Sequence, residues 1–316
     1  MMSMNLADGP VHAHIEPTTI CNLRCHSCIN HALPKARRGV MSLEDYKRVL
    51  DAIPTLNDVS LIGLGEPFTH PDILQMALET RSRNIVVRTV TNGMLLQRFD
   101  RQLILESFDE LVFSIDGASP MVLESLREGS DWELFIENLS ALHETKKQKK
   151  LKTPITSNTV LSDKNLGEVP GIFELALRFG FSKLRFVFAV DTVGTDTGST
   201  NMQEKRKDIE ALKIRDEKLE SELREQIESL SRKYGLPASF SGSQPYAPNC
   251  WWPIRGVYVT FDGFVTPCCL RMDPEVIHFG NLFNESFLSI WNGERYRGFR
   301  QTFQEKQVPA ICRSCP

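Results

Sequence analysis

The sequence predicts an α/β fold: a partial (β/α)6 barrel, TIM-like in plan, followed by a small cysteine-rich extension. Three observations lead there. Over the first 190 residues short β-branched runs alternate with amphipathic stretches, the pattern of repeated βαβ units around a parallel sheet. A polar linker and a long charged helix then interrupt that alternation. Finally, the eight cysteines gather in two places, at 21–28 and at 250–315. These features divide the chain into an expected barrel over 1–190, a linker with a charged helix over 191–249, and a metal-binding extension over 250–316.

The expected strands are Val11 to Ile15, Val59 to Ile62, Ile85 to Val90, Leu111 to Ile115, Ile155 to Val160 and Leu184 to Phe188. Helices lie between them, clearest over Leu43 to Ile53. There Ser42 can cap the first turn, and Asp45 sets a carboxylate near the positive end of the dipole. Six such units make a partial barrel, whose chemistry collects in the loops at the C-terminal strand ends. The lysine run Lys146 to Lys152 reads as a solvated helix end, although it could guide an acidic substrate. Asp191 to Gln203 is nearly free of apolar residues and reads as a linker. Glu204 to Tyr234 then reads as one long helix whose apolar stripe (Ile209, Leu212, Leu219, Leu223, Ile227, Leu230) packs on the barrel; its interruption at Asp216 argues against a coiled coil. A Gly/Pro/Ser-rich stretch, Gly235 to Asn249, leads to a hairpin in which Val257 to Phe261 and Phe264 to Thr266 flank Asp262-Gly263. A helix follows from Ser286 roughly to Phe303.

Composition sets limits on function. With 316 residues, 41% hydrophobic and 24% charged, the chain falls in the ordinary range for a globular protein. A net charge of -3 gives no field that would direct it to nucleic acid or an anionic membrane. The longest apolar runs (Ile85 to Val87, Leu111 to Phe113) are too short to span a bilayer, and MMSMNLADG is not a secretory signal. A cytoplasmic location is expected, where clustered cysteines more often mean metal than disulfide.

The run Cys21-Asn-Leu-Arg-Cys25-His-Ser-Cys28 follows the first strand. A CxxxCxxC spacing offers three thiolates to one cube of iron and sulfide and leaves the fourth iron open to a substrate or cofactor. Structural zinc is the alternative, with His26 or His31 as a fourth ligand. Further stretches end the next three strands, Gly63-Leu-Gly65-Glu66-Pro67, Thr91-Asn92-Gly93 and Ser114-Ile-Asp116-Gly117, and Leu126-Arg127-Glu-Gly129-Ser-Asp-Trp132 follows beyond the fourth. Together they resemble the radical S-adenosylmethionine (radical SAM) superfamily. That resemblance implies S-adenosylmethionine on the open iron of a 4Fe–4S cluster. Gly63, Gly65 and Glu66 would face its amino group, Thr91 and Asn92 would line the site, and Ser114 and Asp116 would bond the ribose or methionine end. Arg127 would pair with the carboxylate, a contact suited to a planar guanidinium. Asn158 and Ser157 on the fifth strand are further candidates. Many members carry an aromatic residue before the third cysteine where this chain has Ser27, so adenine must pack elsewhere.

The tail resembles the SPASM/twitch extension of that superfamily: Cys250, a DG hairpin ending in Pro267-Cys268-Cys269, Gly280-Asn281, Ile290-Trp291-Asn292, and a terminal CxxC. The resemblance implies one auxiliary 4Fe–4S cluster on Cys250, Cys268, Cys312 and Cys315, with zinc again the alternative. Either member of the Cys268-Cys269 pair could bind, because neighbouring residues of a strand face opposite ways; the family spacing favours Cys268. Cys269 is then either inert packing or a hydrogen-atom donor. By resemblance, reductive cleavage of S-adenosylmethionine gives a 5′-deoxyadenosyl radical that abstracts a hydrogen atom from a peptide or small natural-product substrate. Dehydrogenation, cross-linking or epimerisation would follow. The electron donor would be flavodoxin or ferredoxin. No peptide-recognition domain precedes Val11, which favours a small substrate or a peptide presented by a carrier. The reading from another class is a non-catalytic zinc-binding or redox-sensing protein.

Overall fold

The computed structural model describes residues 9–189, 200–212, 214, 216–241, 250–313 and 315. The residues 191–199 of the expected linker and 242–249 of the Gly/Pro/Ser-rich stretch lie outside the described residues. Six parallel strands run in chain order: β1 His12–Ile15, β2 Asp58–Leu61, β3 Val86–Thr91, β4 Glu110–Ser114, β5 Ile155–Leu161 and β6 Lys183–Phe188. Each expected strand is present within a residue or two of its ends. The connecting helices are α1 Leu43–Ala52, α2 Ile73–Ser82, α3 Arg101–Ser107, α4 Pro120–Leu126, α5 Trp132–Gln148 and α6 Val169–Arg178. Ser42 caps α1 by accepting from the Asp45 amide at 3.0 Å, as expected. Asp100 and Asp131 cap α3 and α5 in the same way. The lysines after Thr145 close α5, and Lys150 turns the chain with a positive φ of 54°.

The expected Glu204–Tyr234 helix is two helices, α7 Thr200–Ala211 and α8 Glu217–Tyr234. Asp216, the residue that interrupts the apolar stripe, is the N-cap of α8: its carboxylate accepts from Lys218 and Leu219 amides at 2.9 and 3.1 Å. Leu223 and Ile227 of α8 join the main core, and Gly235 ends the helix at φ 62°. The final helix is likewise divided into α10 Phe287–Asn292 and α11 Glu294–Gln304, because Gly293 takes extended backbone between them.

The extension continues the barrel sheet. After the short helix α9 (Trp252–Arg255), β8 (Gly256–Val259) lies parallel to β1, with His14 opposite Tyr258. The Asp262-Gly263 turn reverses the chain into β9 (Phe264–Thr266), with Gly263 at φ 87° as the hairpin signal requires. With β7 (Ala238–Ser241) beyond β6 and β10 (Gly280–Asn281) beyond β9, the sheet has ten strands in the order β10-β9-β8-β1-β2-β3-β4-β5-β6-β7. No described helix is long and apolar enough to cross a membrane.

One departure from an ordinary parallel sheet bears on function. Strands covered on both faces read as continuous apolar runs. Here the strands alternate instead. Ala13, Ile15, Leu184 and Phe186 are fully buried beneath the helices, whereas His12, His14, Lys183 and Arg185 face the concave side. The concave face is a polar lumen.

Candidate functional site

The front of the barrel is built from loops that follow β1, β2, β3 and β4. Cys21, Cys25 and Cys28 are free, partly buried thiols. Cys21 Sγ accepts from the Leu23 amide at 3.5 Å and Cys28 Sγ from the Asn30 amide at 3.4 Å. Residues Arg24–Cys25 form a two-stranded antiparallel ribbon with Arg127–Glu128, which brings Arg127 Nη1 to 3.9 Å from Cys25 Sγ. Burial pushes the Cys21 thiol up to about 11 and Cys25 to about 12, with Cys28 adding to both shifts and Arg127 opposing them.

The Gly63-Leu-Gly65-Glu66 turn is packed against this loop. A Cβ on Gly63 would lie 2.3 Å from Glu16 Cγ, and one on Gly65 would lie 2.3 Å from the Thr18 carbonyl oxygen. Both glycines are therefore needed for the two loops to meet. The Leu64 amide donates to Glu16 Oε1 at 2.9 Å, the Gly65 amide to Thr18 O at 3.1 Å, and the Glu66 amide to Ile20 O at 2.9 Å. Glu66, 4% exposed, accepts from Thr91 Oγ1 (2.8 Å), the Phe68 amide (3.2 Å) and the Asn92 amide (2.7 Å). A carboxylate offers about four acceptor positions, so one remains for a ligand. Burial raises Glu66 to about 7, against the pull of these three donors. Asn92 Nδ2 donates to Asn22 Oδ1 at 2.9 Å, tying the third loop to the first.

Two of the expected cofactor-binding residues bind each other. Arg127 Nη2 and Asp116 Oδ2 are 2.7 Å apart, and Asp116 Oδ1 also accepts from the Val160 amide at 2.8 Å. Asp116 so holds the guanidinium beside Cys25, with Arg127 Nε left unbonded and buried. Ser114 and Asn158 are opposite one another in register and share the lumen face. Ser157 also borders the lumen cavity but, between Phe113 and Leu184 in register, is 1% exposed with its hydroxyl unbonded. Ser27 lines a small pocket with Leu126, Val160, Ala189 and Leu212, so apolar surface is present despite the missing aromatic ring.

The second cysteine group lies at the other end of the barrel. Because β9 runs antiparallel to β8, the chain returns to the N-terminal end of β1 before reaching Cys268, and Cys250 precedes α9 at that same end. Arg271, 1% exposed, bridges to Cys268 and donates to Ile311 O at 2.5 Å, which draws the terminal CxxC to the hairpin. Burial raises Cys268 to about 11 and Cys312 to about 12; Cys250 and Cys315 add to both shifts. Cys269 is raised further still by burial and by Cys268, with the Arg185 charge opposing.

Between the two groups lies a lumen cavity of about 250 Å³. Its floor carries a chain of polar contacts: His12 Nδ1 to Asp58 Oδ1 (2.7 Å), Asp58 to Arg88, Arg88 Nε to Glu110 Oε2 (3.1 Å), and Thr156 Oγ1 to Glu110 Oε1 (2.7 Å). Sequence reading missed Glu16, Asn30, Arg271 and Arg185. Asn30, 1% exposed, clamps the cysteine loop to the glycine turn by donating to Thr19 O (2.7 Å) and Leu64 O (2.8 Å). Alternation of His12, His14 and Glu16 with apolar neighbours was the available sign of a polar face.

The donor set suits iron–sulfur clusters. Three thiols in the front loop and further free thiols at Cys250, Cys268, Cys312 and Cys315 are the soft donors such clusters take. Backbone amides at two front sulfurs and a guanidinium near the third suit the negative charge of such a group.

Comparisons with known proteins point the same way. The Radical SAM superfamily pattern matches residues 15–176, and an iron-sulfur cluster-binding domain of the SPASM type matches residues 250–316. A PqqA peptide cyclase of Rhizobium meliloti is 22% identical over 312 residues, covering 97% of this chain and 79% of the relative. An AdoMet-dependent heme synthase of Methanosarcina barkeri is 24% identical over 315 residues, covering 94% and 86%. The crystal structure of Streptococcus suis SuiB bound to precursor peptide SuiA shares the fold with a TM-score of 0.73, at 15% identity over 98% of this chain and 71% of that one.

Proposed function

The chain belongs to the radical SAM superfamily as an enzyme that uses S-adenosylmethionine, a 4Fe–4S cluster and an auxiliary iron–sulfur cluster, and from that premise we propose that it modifies a peptide by oxidation. The names of its relatives support the peptide: one is a peptide cyclase and another was crystallised with a precursor peptide. The observation that carries the oxidative reading is the placement of the two cysteine groups at opposite ends of one lumen.

Cys21, Cys25 and Cys28 would hold the front cluster, and Cys250, Cys268, Cys312 and Cys315 the auxiliary one. When bound, the front cluster and S-adenosylmethionine supply a radical able to take a hydrogen atom from an unactivated carbon. Everything else falls to the chain. Asp116 holds the Arg127 guanidinium beside Cys25, with Nε the donor left unbonded for a carboxylate. Glu66 keeps the Thr91-Asn92-Gly93 turn in place and retains one acceptor position for an amino group. Ser114 and Asn158 offer hydroxyl and amide partners at the rim of the lumen. The lumen holds the substrate between the two ends and excludes water from it. Held by Cys250, Cys268, Cys312 and Cys315, an auxiliary cluster would supply a one-electron acceptor, so that loss of that electron together with a proton to solvent completes a two-hydrogen oxidation of the substrate. A basic cleft of about 790 Å³, lined by Arg24, Arg38 and Lys205 beside Cys21, suits the approach of an acidic donor such as flavodoxin or ferredoxin.

Cys269 supports a second reading. Burial pushes its thiol up and keeps it protonated, the form that donates a hydrogen atom. Turnover in deuterated buffer separates the two. A product lighter by two hydrogens supports oxidation. An epimer carrying solvent deuterium, lost in Cys269→Ala, supports the thiol and overturns oxidation.

A further inference from the structure

The lumen wall is unevenly charged. Arg88 is shared between Asp58 and Glu110, and Glu110 is further engaged by Thr156, so both carboxylates of the wall are occupied. His14, opposite Ser60 and Tyr258, is desolvated between His12 and the Trp252 ring and stays uncharged, its pKa lowered to about 3. Lys183 and Arg185 project from β6 into the same cavity and are exposed, without a carboxylate partner among the described residues. The strand registers fix their heights. Lys183 lies level with Thr156 and Val112, and Arg185 lies level with Asn158 and Ser114. Arg185 therefore sits in the layer of Asn158 and Ser114, level with the C-terminal end of β4. The planar fork of an arginine matches a carboxylate through two parallel hydrogen bonds.

We infer that the lumen takes its substrate by a carboxylate, clamped by Arg185 at the level of Ser114 and Asn158 and assisted from the layer below by Lys183. Resting on the peptide reading, this makes the substrate a peptide that presents a glutamate or aspartate side chain, or its own C-terminal carboxylate, next to the carbon that reacts. Arg185 selects and positions the substrate, while hydrogen abstraction is left to the cofactors.

The test uses the reconstituted holoenzyme with S-adenosylmethionine and no reductant. Its probes are three short peptides of one length: capped at both ends with a central glutamate, capped with a central glutamine, and the glutamine peptide with a free C-terminus. Binding is read by titration calorimetry. A desolvated charge-assisted contact predicts roughly 10- to 100-fold tighter binding of a carboxylate peptide than of the capped glutamine peptide. A gain confined to the glutamate peptide marks a side chain as the source, and one confined to the free C-terminus marks the chain end. Arg185→Gln should remove the preference, and Arg185→Glu should turn it toward a lysine-bearing peptide, with thermal melts and the cluster absorbance verifying that each variant is folded and loaded. Equal binding of all three peptides by the parent enzyme, or a carboxylate preference that survives both variants, overturns the inference. Failure of the family reading is seen separately. In that case the parent enzyme with reductant would form no 5′-deoxyadenosine, whatever the peptides do.

Discussion

Glu16 shows how a single side chain can serve the fold and remain invisible to pattern. It is 2% exposed, accepts from the Leu64 amide, and fills the space that the missing Cβ of Gly63 leaves. Burial raises its pKa from 4.5 to about 7. Between those values the folded chain binds a proton that the unfolded chain has released, so this group's contribution to stability falls as pH rises from about 4.5 to about 7. Glu16→Gln should cancel that fall. Melting temperatures of parent and variant, compared from pH 5 to pH 8, should diverge in the variant's favour toward pH 8, with a ceiling on the order of 3 kcal/mol. A difference that is flat with pH would show that Glu16 is ionised throughout. Glu66, Asp116 and Arg127 were legible as residues because they sit in spaced motifs at strand ends. Their mutual bonds were not, since sequence spacing says nothing about which polar group satisfies which. Asn30 and Arg271 belong to no repeated spacing, and only burial exposes their part.

Elements were legible where local chemistry and tertiary packing agree. The six strands and the Ser42 cap follow from β-branched runs and capping preference, and the structure keeps them. The long helices failed where a single residue outweighs the period: Asp216 caps rather than continues, and Gly293 opens extended backbone. The same sensitivity makes the glycine turn testable. Gly65→Ala would drive a methyl group into the Thr18 carbonyl, backbone against backbone, where neither loop can yield cheaply. We expect a loss of about 1–3 kcal/mol in stability and weakened S-adenosylmethionine binding. Gly167→Ala, with nothing within 4 Å of the added carbon, should match the parent in both. An unchanged Gly65→Ala variant would mean that the two loops are not coupled.

At the scale of the molecule, the extension is a structural part of the sheet. Val257, Tyr258 and Val259 are fully buried, and β8 supplies the hydrogen-bonding partner for the free edge of β1. Ending the chain at residue 249 should therefore expose an apolar strand edge and give aggregated protein, even though every front cysteine is retained. A soluble, monomeric truncation with full melting cooperativity would refute that. Sequence pattern found both cysteine groups and named their family; it did not reveal that β8 extends the barrel, because a hairpin signal fixes a turn and leaves its outer partner open. That pairing sets the two groups at opposite ends of one lumen, on which the proposed oxidation depends. Three cysteines at the front would leave one iron of a cluster free for S-adenosylmethionine. Electron paramagnetic resonance of the reduced, anaerobically reconstituted enzyme tests it directly, using Cys250→Ala to simplify the auxiliary signal. The front cluster's signal should shift when S-adenosylmethionine is added. A signal unaltered by saturating S-adenosylmethionine, or a front site that takes up zinc in place of iron, would contradict it.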